Sequence, residues 1–316
     1  MGKMATREAY GRALAEFGAD NRIVVLDADL SKSTNTATFK KDYPERHLNM
    51  GIAEANMMSV GCGLATCGKI VFASTFAMFA SGRALEQIRN SACYPKLNLK
   101  VCATHAGITV GEDGASHQCI EDLSFMRSLP NMTVVSPSDA ASTRFAIKAA
   151  IETDGPFYVR LGRLAVPDIY GEYGSDVPFT LGKANQLKAG NDLTLIATGY
   201  LVGEAIAAAE LLEQEGIHAR VLDMHTIKPI DKDAIIAASK ETGAIVTCEE
   251  HSVIGGLGSA VAEVLSENAP CIMTRVGIQD VFGQSGTPAK LMEAYHLKAV
   301  DICATAKNLL ERKKNA

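Results

Sequence analysis

Apolar residues along the chain fall into two patterns that alternate. Short unbroken runs at 23–26, 69–73, 99–104, 132–135 and 157–161 read as strands buried on both faces. Between them, segments at 4–18, after Gly51, at 76–90, 119–128 and 138–152 carry apolar residues at helical spacing. From 163 to 192 this order breaks up, with Pro167 and Pro178 among Gly162, Gly171, Gly174, Gly182 and Gly190. Alternation then resumes, with strands at 193–197, 219–222, 244–248 and 271–275. Helices are expected at 201–215, 231–242, 256–267, 288–295 and 302–313. The fold class is therefore α/β in two domains, each a largely parallel sheet flanked by helices. The expected bounds are 1–165, a connection over 166–190, and 191–316. In such sheets ligands bind beyond the carboxyl ends of strands, and the most polar segments of the first half all follow strands.

One helix carries a residue that its pattern does not explain. After Asn49-Met50-Gly51-Ile52-Ala53, Glu54 shares a helical face with Met57, Met58, Gly61 and the pair Leu64/Ala65. A carboxylate on an apolar stripe is costly unless it is paired or holds a proton. One reading is a capping box with Gly51 at the N-cap and Glu54 at N3. The other is a buried acid that exchanges a proton with a ligand.

Composition narrows the classes. Charged residues make up 21% and hydrophobic ones 47% of the 316 residues, as expected of a globular chain with a large core. The net charge of −5, with a basic run only at 312–314, argues against nucleic acid as a partner. The eight cysteines form no C-x-x-C pair and sit mostly in apolar runs, so they read as core residues of a reducing compartment. No apolar run approaches the ~18 residues of a membrane span, and the first residues lack a signal-peptide core, which predicts a cytoplasmic protein and no membrane partner.

Candidate chemistry gathers in three places. The loop from His105 to Gln118 holds His105, Glu112, Asp113 and His117 among glycines at 107, 111 and 114, a set able to shuttle protons or bind a small molecule. His105, Asp113 and His117 also match a two-histidine, one-carboxylate metal set, and a solvated turn is a third reading. Phe76 and Phe79, three residues apart on an expected helix, form either core or an aromatic wall for a flat heterocycle. Arg7 near the start, with Arg160 and Arg163 after the last strand of the first half, would clamp phosphate if the fold brought them together. Phosphate-binding glycine loops are represented only by a partial dinucleotide match at 255–258.

Three stretches, in order and spacing, resemble the second half of transketolase, from its pyrimidine-binding domain to the C-terminus. They are His47-Leu48-Asn49-Met50-Gly51-Ile52-Ala53-Glu54, Ala73-Ser74-Thr75-Phe76-Ala77-Met78-Phe79, and Thr104-His105 through Gly111-Glu112-Asp113-Gly114 to His117-Gln118. The likeness continues through Gly155-Pro156-Phe157 and covers nearly the whole chain. It implies thiamine diphosphate as cofactor, with catalytic roles for Glu54, His105 and His117. Glu54 would bond the aminopyrimidine and favour its imino form, which accepts the thiazolium C2 proton. Phe76 and Phe79 would enclose the pyrimidine. His105, Asp113 and His117 would meet sugar hydroxyls, and Arg7, Ser33 and Arg163 would grip a sugar phosphate.

The resemblance also implies what is missing. A third aromatic of bacterial members corresponds to Gly82, and the chain contains no Gly-Asp-Gly, the sequence that holds Mg²⁺ and the diphosphate in the family's first half. No metal ligand is therefore expected here; Mg²⁺ would be bound by a partner subunit carrying the N-terminal half, in an α₂β₂ assembly with contacts between copies of this chain. The reaction implied is transfer of a two-carbon ketol unit between sugar phosphates, as in the pentose phosphate pathway of carbohydrate metabolism. Rival readings are a 1-deoxyxylulose-5-phosphate synthase-like protein, the beta subunit of a 2-oxoacid dehydrogenase, or a non-catalytic regulatory subunit.

Overall fold

The computed structural model describes residues 4–315. Five of the apolar runs of the first half form parallel strands in a seven-stranded sheet, ordered Thr226–Lys228, Thr133–Val135, Phe157–Arg160, Leu99–Thr104, Ile70–Phe76, Ile23–Asp27, His47–Asn49. Every neighbouring pair is parallel except the first. In the second sheet the order is Ile272–Ile278, Ala244–Ser252, Leu193–Ala197, Ala219–Asp223, Asn185–Lys188, with only the last pair antiparallel. Unbroken Val/Ile/Leu runs sit in the middle of each sheet because helices cover both faces there.

Several elements differ from the sequence expectation, each for a local reason. Met4 and Ala5, expected in the opening helix, instead pair with Val166 and Ala165, and the helix runs Thr6–Phe17. His47–Asn49 adds a short parallel strand beside Ile23–Asp27 that its polar composition hides. Asn185–Lys188 lies within the stretch expected to be a connection and closes the edge of the second sheet. Thr226–Lys228, from the second half of the chain, pairs with Thr133–Val135 and so completes the first sheet. Edge strands like these need only one apolar face, so they carry a weak pattern.

The core does not stop between the two halves. One apolar cluster joins Met57, Met58 and Cys62 behind Glu54 to Leu123, Met126, Leu222, Leu257 and Val261. Burial of that shared surface holds the two halves together. The eight cysteines are free thiols, and all but Cys67 are wholly or partly buried. No helix among the described residues is long and apolar enough to cross a membrane.

One buried acid makes stability depend on pH. At the carboxyl end of Ala219–Asp223, the hydroxyls of Ser138 and Tyr170 each donate to Asp223 Oδ2 at 2.8 Å. Burial pushes the Asp223 carboxyl up to about 7, and these two hydrogen bonds only partly oppose it. The folded chain thus holds this proton more tightly than the unfolded one. That contribution is fully present below the ordinary carboxyl range and is lost as pH rises toward 7. Asp223→Asn is expected to flatten the stability profile over that window and to exceed the parent at pH 8 by on the order of 2 kcal/mol. Urea midpoints at pH 5 and pH 8 measure the effect; an unchanged slope would place the proton elsewhere.

Candidate active site

The loop before the Glu54 helix is shaped by Asn49 and Gly51. Asn49 Oδ1 accepts from the amides of Asp29 and Gly51 at 3.0 Å, and Gly51 sits at φ +70, where a side chain would be strained. The helix Glu54–Thr66 then starts two residues later than a Gly51 cap requires. Ala53 is its N-cap and no side chain caps it, so Glu54 is the first helical residue and the capping-box reading falls. Its carboxylate is buried, with 5% exposure, against Met57 and Met58 one turn on. Gly61 brings the helix onto the sheet: an added Cβ would lie 2.8 Å from Leu99 and 3.3 Å from Leu26 and Val71. Leu64 and Ala65 are only half-buried, so the apolar stripe loosens beyond the second turn.

The aromatic pair is adjacent, but not through a shared helical face. Strand Ile70–Phe76 runs on to Phe76, which pairs in register with Thr104, and Phe79 opens a wide π-helical turn over Phe79–Arg83. The rings stack with centroids 5.8 Å apart and planes at 21°. Such turns widen the helix and re-aim side chains, and they recur at functional sites. Within this one, Gly82 is exposed and packs beside Met78, and Arg83 lies over Phe79 at 4.2 Å while its Nη1 reaches Glu54 Oε1 at 3.3 Å. Arg83 is thus a site residue that the sequence reading passed over. Its signal was the four-residue spacing from Phe79, a spacing that puts two side chains on one helical face.

From Phe76 the line continues into the histidine loop. The His105 ring packs on Phe76 at 3.9 Å, and His117 meets Phe79 edge-on at 5.4 Å. His105 has φ +57, and its Nδ1 pairs with Thr104 Oγ1 at 2.9 Å. Burial, with the positive charges of Arg7 and Arg163 and the neighbouring His117, pushes the His105 imidazole down to about 3. It is neutral at physiological pH and offers one donor and one acceptor rather than a charge.

The two arginines do come together. Arg7 donates through Nε to the Arg163 carbonyl at 3.2 Å and through Nη1 to the Ser33 carbonyl at 2.7 Å. Arg163 in turn donates to the Val110 carbonyl and lies 3.6 Å from the exposed Glu112. Burial and the nearby Arg163 lower the Arg7 pKa, the mark of two like charges sharing one place. An anion there would relieve both. Arg160 is not part of this pair: it is buried in an ion pair with Asp122. Asp113 lies on the exposed crest of the loop. Among the described residues no group of three His, Cys, Asp or Glu side chains could hold a metal, so His105, Asp113 and His117 do not assemble as that set. The site is therefore a row: buried acid, stacked aromatics, neutral imidazole, paired guanidiniums.

Comparison with known proteins gives the family of the chain. The chain matches the pyrimidine-binding domain of transketolase over residues 2–168 and the transketolase C-terminal domain over residues 182–302. A putative transketolase C-terminal section from Methanocaldococcus jannaschii is 52% identical over 310 residues, covering 98% of this chain and 96% of that one. Human transketolase is 39% identical over 315 residues, which are 98% of this chain but 50% of the human one. A solved split-gene transketolase, described as an inactive β4 tetramer, superposes with a TM-score of 0.91 at 56% identity, covering 98% of this chain and 99% of the other. The chain belongs to the transketolase family, as its C-terminal section.

Proposed function

We propose that the chain is the C-terminal subunit of a split, thiamine diphosphate-dependent transketolase that moves a two-carbon ketol unit from a ketose phosphate to an aldose phosphate. The observation that carries this reading is the buried Glu54 carboxylate, linked through Arg83 to the ring of Phe79, which stacks on Phe76. A buried carboxylate close to flat apolar faces suits an aminopyrimidine, which needs a proton partner at one edge and stacking on its faces. Thiamine diphosphate, when bound, supplies an acidic carbon and an electron sink. Glu54 holds the proton shared with the ring nitrogen, and Phe76 and Phe79 orient the ring and exclude water. His105, neutral and fixed by Thr104, and His117 offer hydrogen bonds to sugar hydroxyls, joined by Asp113 from the loop crest. Arg7 and Arg163 grip the sugar phosphate, with the Ser33 carbonyl aligning Arg7.

In this proposal residues 1–165 and 191–316 are the two domains, linked by 166–190. The diphosphate and Mg²⁺ bind to a partner chain that carries the family's first half. This chain has no Gly-Asp-Gly sequence, and its site ends at the pyrimidine. The working form is an α₂β₂ assembly in the cytoplasm, acting in the sugar-phosphate exchanges of the pentose phosphate pathway. The test is reconstitution. With thiamine diphosphate and Mg²⁺ added, the purified chain alone is expected to transfer no ketol unit, and activity should appear on adding the partner. Full activity from the lone chain would refute the shared site.

A further inference from the structure

The second half of the chain contributes nothing to the row of residues described above, yet one of its strands ends against the histidine loop. Strand Ala244–Ser252 carries three consecutive buried groups, Glu249, Glu250 and His251. Glu249 has a structural explanation: it accepts from the amides of Leu257 and Gly258 at 2.7 and 2.8 Å, at the start of helix Leu257–Asn268. Glu250 caps no α-helix. Its Oε1 instead accepts the amide N–H of Thr109 at 2.6 Å.

Thr109 sits in the tight turn Ile108–Val110, between His105 and His117. Gly107 precedes it at φ +83, and an added Cβ there would lie 2.3 Å from the Glu250 carboxylate carbon. Only glycine lets the carboxylate come this close. On the other side, Arg160 donates to the Glu250 carbonyl at 2.9 Å and is anchored by Asp122. Burial pushes the Glu250 carboxyl up, while Arg160 and the Thr109 amide pull it down. Gln118 ties the far end of the loop, donating to Gly111 and to Gln284 of the second half at 3.0 and 2.9 Å. The Thr109 amide is fully buried, so without Glu250 it would be an unsatisfied donor.

We propose that Glu250 is a positioning residue: by holding the Thr109 amide from across the domain boundary, it sets the turn that aims His105 and His117 at the substrate. The catalytic half of this statement rests on the reading of those histidines given above; the loop-holding half does not. The experiment uses Glu250→Ala and Glu250→Gln chains reconstituted with the partner subunit. It follows amide hydrogen exchange over 105–118, kcat/KM for ketol transfer, and exchange of the cofactor's C2 proton, which needs Glu54 but not the loop.

Glu250→Ala is expected to speed amide exchange in the loop at least tenfold while Leu99–Thr104 stays protected, and to lower kcat/KM by about 10- to 100-fold. C2 exchange should stay close to that of the parent. Glu250→Gln keeps an acceptor oxygen and is expected to restore both loop protection and most of kcat/KM. Unchanged loop exchange in the alanine variant would overturn the proposal, as would a glutamine variant no better than alanine. Loss of C2 exchange alongside sugar turnover would also overturn it, since that is general collapse of the site. If the parent complex transfers no ketol unit, the functional reading fails, and the loop exchange of the three chains still decides whether Glu250 holds the turn.

Discussion

Glu54→Gln is expected to lower ketol transfer by the reconstituted complex by about 10² to 10⁴-fold, the range typical of losing a positioned acid–base group. Glutamine keeps the size of the side chain and one acceptor oxygen but cannot take up or release the proton. The fold should survive the change. Among the described residues, the one charged partner of Glu54 is Arg83 at 3.3 Å, and that side chain is 56% exposed. A guanidinium already facing water returns to it at little cost, so the lost pair is worth well under ~1 kcal/mol. The measurements are kcat, C2 proton exchange of the bound cofactor, and the thermal midpoint. Turnover near the parent's would leave Glu54 as no more than a buried, paired carboxylate.

Most of what makes this prediction possible was legible in the sequence, and the reasons are physical. The parallel strands were visible because burial on both faces demands unbroken apolar runs, and 23–26, 99–104 and 193–197 are such runs. One member breaks the rule: Lys100 is fully buried in the strand Leu99–Thr104. It donates to the carbonyls of Thr153 and Gly155 beyond the end of helix Ala140–Glu152, and burial lowers it to about 7. The grouping of Glu54, the two phenylalanines, the two histidines, Arg7 and Arg163 came with the family resemblance that the three motifs carry, while the residues read one by one left other roles open.

What sequence spacing could not give was the exact phase of each element. Gly51 reads as a cap, yet its positive φ spends it on a turn, and the helix begins at Glu54. Phe76 reads as helical, yet pairing with Thr104 holds it in the sheet. Both errors lie where a strand or loop hands over to a helix, and there tertiary pairing outweighs local pattern. Long-range partners were invisible for a different reason. Thr109 and Glu250 are separated by 141 residues, and nothing in either neighbourhood names the other.

The same limit hid a buried ion pair on which stability should depend strongly. Asp122→Ala is expected to destabilise the chain by about 3–5 kcal/mol, the cost of leaving one partner of a buried ion pair alone. Arg160 donates Nε to Asp122 Oδ2 at 2.8 Å and Nη2 to Oδ1 at 3.2 Å, and the Tyr158 hydroxyl donates to Oδ2 at 2.7 Å. Asp122 is fully buried and Arg160 is 6% exposed, so neither can turn to water when the other is removed. Burial by itself would raise the Asp122 carboxyl. Arg160, His251 and the two hydrogen bonds outweigh that and hold it below the usual carboxylate range. Because the folded state binds this proton less tightly, the pair's contribution is present above the ordinary carboxyl pKa and is lost as pH falls through the depressed one. The parent should therefore weaken in acid through this group, and Asp122→Ala should lack that component. Denaturant midpoints at pH 7 and near pH 3 measure both effects. A second change separates lost attraction from a stranded charge. Arg160→Leu in the Asp122→Ala background removes the unpaired guanidinium and should recover part of the loss, since an apolar replacement of a buried pair is often nearly neutral. A single-variant cost below about 1 kcal/mol would mean that water reaches Arg160 and that the pair is not closed off from solvent.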